Sequence, residues 1–155
     1  MPKNKIQQGM VDISHKSITK RTAVASATIV LSPEAFKIFL TKGSPKGDVL
    51  ETAKIAAVMA AKKTPEMIPL CHPLELGKVG VNYDIDNKKC AVIFTVEVSY
   101  EGRTGVEMEA LTAASVAVLT VYDMMKWADK SMVIRDVKLL KKTGGKSGDF
   151  IRSKA

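Results

Sequence analysis

The chain has little of what usually betrays a mechanism. Its two cysteines stand at positions 71 and 90, and it has only two histidines. Thiols at such unrelated positions make neither a disulfide framework nor a Cys-x-x-Cys metal pair, and both read as reduced. One Trp, three Tyr and four Phe leave no interleaved aromatic and basic stripe on which bases could stack. Apolar runs are broken by Lys, Glu or Thr well short of the roughly 20 residues that cross a bilayer. Met1-Pro2-Lys3-Asn4-Lys5 has no apolar stretch of the secretion-signal kind, so the expected location is cytoplasmic. No membrane partner is expected. Linkers rich in Gly, Ser or Pro are absent, and so are internal repeats, which fits one domain over residues 10–155 behind a polar, disordered segment over residues 1–9.

What is present is positive charge. The formal net charge is +8, and the basic residues crowd both ends: Lys3, Lys5, Lys16, Lys20 and Arg21 at the start, Lys138, Lys141, Lys142, Lys146, Arg152 and Lys154 at the finish. Solvated tails account for such runs as readily as an anion site does. With so few aromatics, a phosphorylated small molecule suits the charge better than a nucleic acid.

The run Arg21 to Val30 alternates and predicts a strand. Ser32-Pro33 supplies an N-cap and a first-turn proline for a helix ending near Gly43. Asp48 with Glu51 opens a second helix, in which Val49, Leu50, Ala53, Ala56, Ala57 and Ala60 recur at helical spacing and are small enough for close packing. Strands over 79–85 and 91–100 flank the turn Asp86-Asn87-Lys88-Lys89, and Glu101-Gly102-Arg103 closes the hairpin. A long Ala-rich helix over 107–127 and a last strand over 132–140 complete the order. This predicts an α+β, ferredoxin-like fold: a four-stranded antiparallel sheet with helices on one face. The other sheet face is left without cover, for which oligomerisation is the expected remedy.

Three places carry chemistry. Pro69-Leu70-Cys71-His72-Pro73 is a loop stiffened by prolines that sets a thiol beside an imidazole, although a lone His is more often simply packed and hydrogen-bonded. Without a second ligand pair at finger spacing it is not a structural zinc site, and no metal ligands are assigned. Gly105-Val106-Glu107-Met108-Glu109 opens the long helix, where the dipole explains one carboxylate well. The second projects elsewhere and is a candidate for a site. Asp123 and Lys126, three residues apart, share a helix face. A surface ion pair is the plain reading of them; their neighbours Met124, Met125 and Trp127 suggest instead apolar surroundings in which the two tune each other's pKa. At the C-terminal end, Lys141-Lys142-Thr143-Gly144-Gly145-Lys146-Ser147-Gly148 fails the nucleotide P-loop spacing, because position 140 is Leu. It still reads as a glycine-rich basic flap able to clamp phosphates.

Taken together, Met10-Val11-Asp12, Lys46-Gly47-Asp48-Val49-Leu50, Ile68-Pro69-Leu70-Cys71-His72-Pro73-Leu74, Thr104-Gly105-Val106-Glu107-Met108-Glu109-Ala110-Leu111, Leu119-Thr120-Val121-Tyr122-Asp123-Met124 and Gly144-Gly145-Lys146-Ser147-Gly148 resemble the MoaC family of molybdenum cofactor biosynthesis. The resemblance runs from Met10 to about Phe150. It implies a cyclic pyranopterin monophosphate synthase, which rearranges a cyclised GTP triphosphate to cyclic pyranopterin monophosphate with loss of pyrophosphate. It also implies a homo-oligomer, a hexamer built as a trimer of dimers, with the site at a dimer interface. By the same resemblance Asp123 and Lys126 are catalytic, and Leu70, Cys71, His72, Glu107, Met108 and Glu109 fall in substrate-binding segments. Arg21, Lys46, Lys142 and Lys146 stand where phosphate-contacting cations are expected. No cofactor is required, with Mg²⁺ admitted alongside the triphosphate. Ala57 departs from a usual glycine and Trp127 from a usual small residue. The rival from another class is a non-catalytic basic module binding anions or RNA, whose mark would be steep weakening with salt.

Overall fold

In the computed structural model, which describes residues 8–154, the alternation read over 21–30 forms a longer strand, β1 (Thr19–Val30). The disorder expected of residues 1–9 lies, for residues 1–7, outside the described residues; Gln8 and Gly9 are exposed and in no helix or strand. Ser32 caps helix α1 (Pro33–Thr41): its Oγ accepts the Ala35 N–H at 3.2 Å, and Pro33 takes the first turn, where a missing N–H is harmless. Asp48 caps α2 (Val49–Lys62) by accepting from the Glu51 N–H at 2.9 Å. A four-residue helix α3 (Thr64–Met67) follows, too short to leave a periodic signal in the sequence.

The hairpin of β2 (Lys78–Asp86) and β3 (Ala91–Gly102) turns through Asn87 to Cys90. The Lys88 and Lys89 amides donate to Asp86 Oδ1 at 3.0 Å, and Cys90 takes a left-handed φ of 51°. β3 runs on through Glu101 and Gly102, which the sequence reading places in the closing loop. Next, Tyr100 Oη donates to the Thr104 carbonyl at 2.6 Å and accepts the Thr104 N–H at 3.1 Å, pinning the loop that starts α4 (Glu107–Met125). This helix stops short of the expected Trp127. The last long strand, β4 (Val133–Thr143), continues three residues past the expected Leu140 and therefore carries Lys141 and Lys142 on the sheet rather than in a flap. A short β5 (Phe150–Ile151) pairs with it.

The sheet order is β2-β3-β1-β4-β5, every paired neighbour antiparallel. The ferredoxin-like arrangement holds, with five strands where the sequence predicts four. Ala23, Ala25, Ala27 and Ile29 of β1 and Val92, Phe94, Val96 and Val98 of β3 form the core face. Against them lies α4, with Ala110, Ala113, Ala114, Ala117, Val118 and Val121 fully buried, and α2 closes the layer with Ala53, Ala57 and Ala61. Alanine on both sides lets the backbones approach closely, and the Ala57 methyl fits inside this seam. By length and composition alone α4 could cross a bilayer; its burial identifies it as the core helix of a packed layer.

The opposite sheet face carries many polar side chains. The register sets Thr22 beside Ser99, Ser26 between Thr95 and Lys138, and Thr28 beside Arg135, while Lys78 pairs with Glu97 at 2.8 Å. Much of this face is hydrophilic, with Val133, opposite Val30, an exposed apolar residue on it. Large apolar side chains are exposed on the helical side, at Ile55 and Met59 of α2, Met67 of α3 and Leu119 of α4, and also along the sheet edge, at Val133, Ile134 and Val137 of β4 and Phe150 and Ile151 of β5.

Candidate functional site

At the C-terminal end of α4, Asp123 and Lys126 lie one turn apart and meet, Oδ1 to Nζ, at 2.9 Å. The loop between α1 and α2 brings in a second cation. Gly43 and Gly47 take positive φ there, Ser44 Oγ donates to the Met124 carbonyl at 2.7 Å, and Lys46 Nζ reaches Asp123 Oδ2 at 2.7 Å. One carboxylate thus holds an ammonium on each oxygen. Lys46, and then Lys126, hold the Asp123 carboxyl down to about 2, and Asp123 in turn pushes the Lys126 ammonium up. The expected apolar surroundings are not found. All three side chains are about half exposed, Trp127 is also exposed, and Met124 and Met125 point to the core from the other side of the helix. Because Trp127 faces outward, its bulk does not disturb the packing.

The other end of α4 forms a different cleft. Leu70, Cys71 and His72 meet Glu107, Met108 and Glu109 around about 280 Å³, closed by Val11, Ile13, Lys16 and Thr104. Glu109 is only 2% exposed, and that burial, with the Glu107 charge pushing the same way, raises its carboxyl to about 7. Burial raises the Cys71 thiol, Glu109 adds to the effect, and Sγ donates to the Ile68 carbonyl at 3.3 Å.

Beside it opens a basic cleft of about 350 Å³ lined by His15, Lys16, Ser17, Thr19, Arg21, Gly144, Gly145 and Lys146. Arg21 is buried; Nε donates to the Gly102 carbonyl at 3.2 Å and Nη2 to the Ser17 carbonyl at 3.4 Å, so that among the described residues the guanidinium is held by carbonyls and not by a carboxylate. Gly144 is left-handed (φ 89°) and lies directly on the Lys20 carbonyl, where a Cβ would collide with backbone. Thr19 Oγ1 donates to the Gly144 carbonyl at 2.7 Å. Lys142 stands between the clefts and meets Glu107 Oε1 at 2.7 Å.

The sequence-predicted residues therefore form three groups: Lys46 with Asp123 and Lys126, the 70–72 loop with Glu107 to Glu109, and Arg21 with Lys142 and Lys146. The second and third adjoin. The first lies at the far end of α4, about 21 Å from Glu109 at 1.5 Å rise per residue. Lys46, expected among the phosphate contacts, meets Asp123. Sequence reasoning missed His15 and Lys16 as cleft residues; a short irregular segment has no periodicity to mark which side chains point inward. Among the described residues no three His, Cys, Asp or Glu side chains gather as a metal cluster.

Residues 10–145 match the family model described as the MoaC family. The chain is 55% identical over 144 residues to the cyclic pyranopterin monophosphate synthase of Campylobacter jejuni (strain RM1221), covering 93% of this chain and 92% of that protein. It is 51% identical to the synthase of Campylobacter lari, with the same coverage, and 54% identical to that of Streptomyces coelicolor, covering 93% of this chain and 84% of the relative.

Proposed function

The chain belongs to the MoaC family, and on that premise we propose that it works as a cyclic pyranopterin monophosphate synthase, a lyase of molybdenum cofactor biosynthesis. Its substrate is the cyclised, dihydro form of GTP, which it rearranges to cyclic pyranopterin monophosphate while pyrophosphate leaves. The reading as a non-catalytic basic module gives way to an enzyme.

The Lys46–Asp123–Lys126 cluster is the observation that carries the chemistry. Opening one ring and closing another requires protons to move at nitrogen, carbon and oxygen. A carboxyl held near 2 stays ionised at neutral pH, so Asp123 aims two ammonium groups, and Lys126 and Lys46 bring the protons. Glu109, near 7, is the group able to hold or release a proton at the guanine-derived ring, which lies among Leu70, Cys71, His72 and Met108. Arg21, Lys142 and Lys146 balance charge on the triphosphate as the cyclic phosphate forms. No resident cofactor is assigned; Mg²⁺ enters, if at all, on the triphosphate oxygens.

About 21 Å between Glu109 and Asp123 exceeds the reach of one nucleotide-sized substrate. This supports a site shared between copies in a homo-oligomer, a hexamer arranged as a trimer of dimers. The apolar face carrying Ile55, Met59, Met67 and Leu119 is the surface that a second copy would cover. The enzyme works in the cytoplasm, without membrane or nucleic-acid partners. The test is incubation with the cyclised GTP triphosphate, read by pyrophosphate release and by mass spectrometry of the product. A well-folded protein that releases no pyrophosphate would overturn the assignment.

A further inference from the structure

Lys142 projects from β4, at the level of Ala23 on β1, onto the helical side of the sheet. Its Nζ is 2.7 Å from Glu107 Oε1, an oxygen that is buried and accepts no well-aligned hydrogen bond among the described residues. The attraction is therefore chiefly that of charge. Glu107 reaches this position by curling back over Gly105, where a Cβ would collide with its carboxylate. Lys142 also touches the wall of the basic cleft: a Cβ built on Gly145 would lie 3.3 Å from Lys142 Cε and 3.6 Å from Arg21 Nη1. One ammonium thus stands within reach of two anions, the Glu107 carboxylate and whatever phosphate enters beside Gly145.

We propose that Glu107 competes with the phosphate chain for Lys142, an internal carboxylate that loosens the cleft's hold on polyphosphate and so favours release of pyrophosphate. This rests on the reading of the basic cleft as the phosphate site. Carboxylate and phosphate are both negative, so each repels the other from the space around the one ammonium and weakens the other's hold on it. When phosphate draws Lys142 away, the Glu107 carboxylate is freed toward the adjoining cleft, which it also lines with Glu109 and His72. Glu107 acts here as a positioning residue, and its influence on phosphate passes through Lys142.

The experiment is calorimetric titration of the full chain with sodium tripolyphosphate at fixed salt, using wild type, Glu107→Gln, Lys142→Met and the double variant. Glu107→Gln should tighten binding roughly three- to tenfold, in the range of a partly screened ion pair. Lys142→Met should weaken it, and in that background Glu107→Gln should give no further gain. Weakening by Lys142→Met without tightening by Glu107→Gln sinks the competition and leaves the phosphate site standing. A full gain that persists without Lys142 also overturns it, since the carboxylate would then act through its field alone. If Lys142→Met has no effect, the phosphate role of Lys142 fails and the inference falls with it. Should Glu107→Gln not fold, Gly105→Ala, which displaces the same carboxylate, makes the same comparison.

Discussion

Glu109 gives a prediction whose size can be worked through. Its side chain is 2% exposed, and burial raises its carboxyl from an ordinary 4.5 to about 7. In the unfolded chain the group ionises near 4.5, and in the folded chain near 7. Between these values the folded state binds more protons, so rising pH destabilises the fold. Below the lower value both states are neutral and there is no penalty; above the upper one the penalty is constant. The interval from 4.5 to about 7, at 1.4 kcal/mol per pH unit, amounts to about 3 kcal/mol. Glu109→Gln keeps the shape and removes the charge. Urea unfolding of both proteins, at one fixed protomer concentration because assembly contributes by mass action, should show the variant gaining about 3 kcal/mol on the wild type as pH rises from about 4.5 to 7.5. Beyond that the difference should stay flat. Any fixed offset from the amide cancels in this comparison. Parallel profiles across that window would refute the reasoning, since they would mean that Glu109 titrates alike in both states.

Asp123→Asn should lower pyrophosphate release by roughly 10²- to 10⁴-fold, because the two proton-bearing ammonium groups lose the carboxylate that aims them, with the unfolding transition unmoved because the cluster is solvent-exposed. Equal loss of activity and of fold would point to a structural role instead. Mixing inactive Asp123→Asn with inactive Glu109→Ala, followed by subunit exchange, should restore roughly a quarter of wild-type turnover if sites are shared between two copies; no restoration after demonstrated exchange would confine each site to one chain. Gly144→Ala should cost about 1–3 kcal/mol in urea unfolding, from its left-handed backbone and the Lys20 carbonyl beneath it, and a silent substitution would show that the loop can move aside.

The sequence displayed what depends on local pattern. The Ser32 and Asp48 caps, the 79–85 and 91–100 alternation and the small face of α2 each act within a few residues, and each led to the right element. Lys142 was harder to place, because Gly144 and Gly145 invite a flap while the pairing of Lys141 and Lys142 with β1 and with β5 is a long-range event. Asp123 shows the same limit from another side. Its methionine neighbours suggested burial, but at 100° per residue Met124 and Met125 face inward while Asp123 and Lys126 face out. The count of strands says nothing of the Thr, Ser and Lys composition of the open sheet face. Likewise, no one-dimensional pattern could show that Lys46 reaches Asp123, since that depends on how the 43–48 loop folds back on the end of α4.

That Lys142 belongs to a strand also bears on how quickly the protein can take hold of an anion. A glycine-rich flap would have to surrender the freedom of several residues each time it closed, and that ordering would slow capture and show as an unfavourable entropy. Here Thr19 fastens the Gly144 carbonyl, and Arg152 returns along β4 to the Leu139 and Leu140 carbonyls at 2.7 and 2.8 Å. The backbone around the cleft is already in place before an anion arrives, and association is left to diffusion and long-range attraction. Its rate should therefore fall steeply with added salt and in inverse proportion to solvent viscosity, as for an encounter limited by diffusion alone.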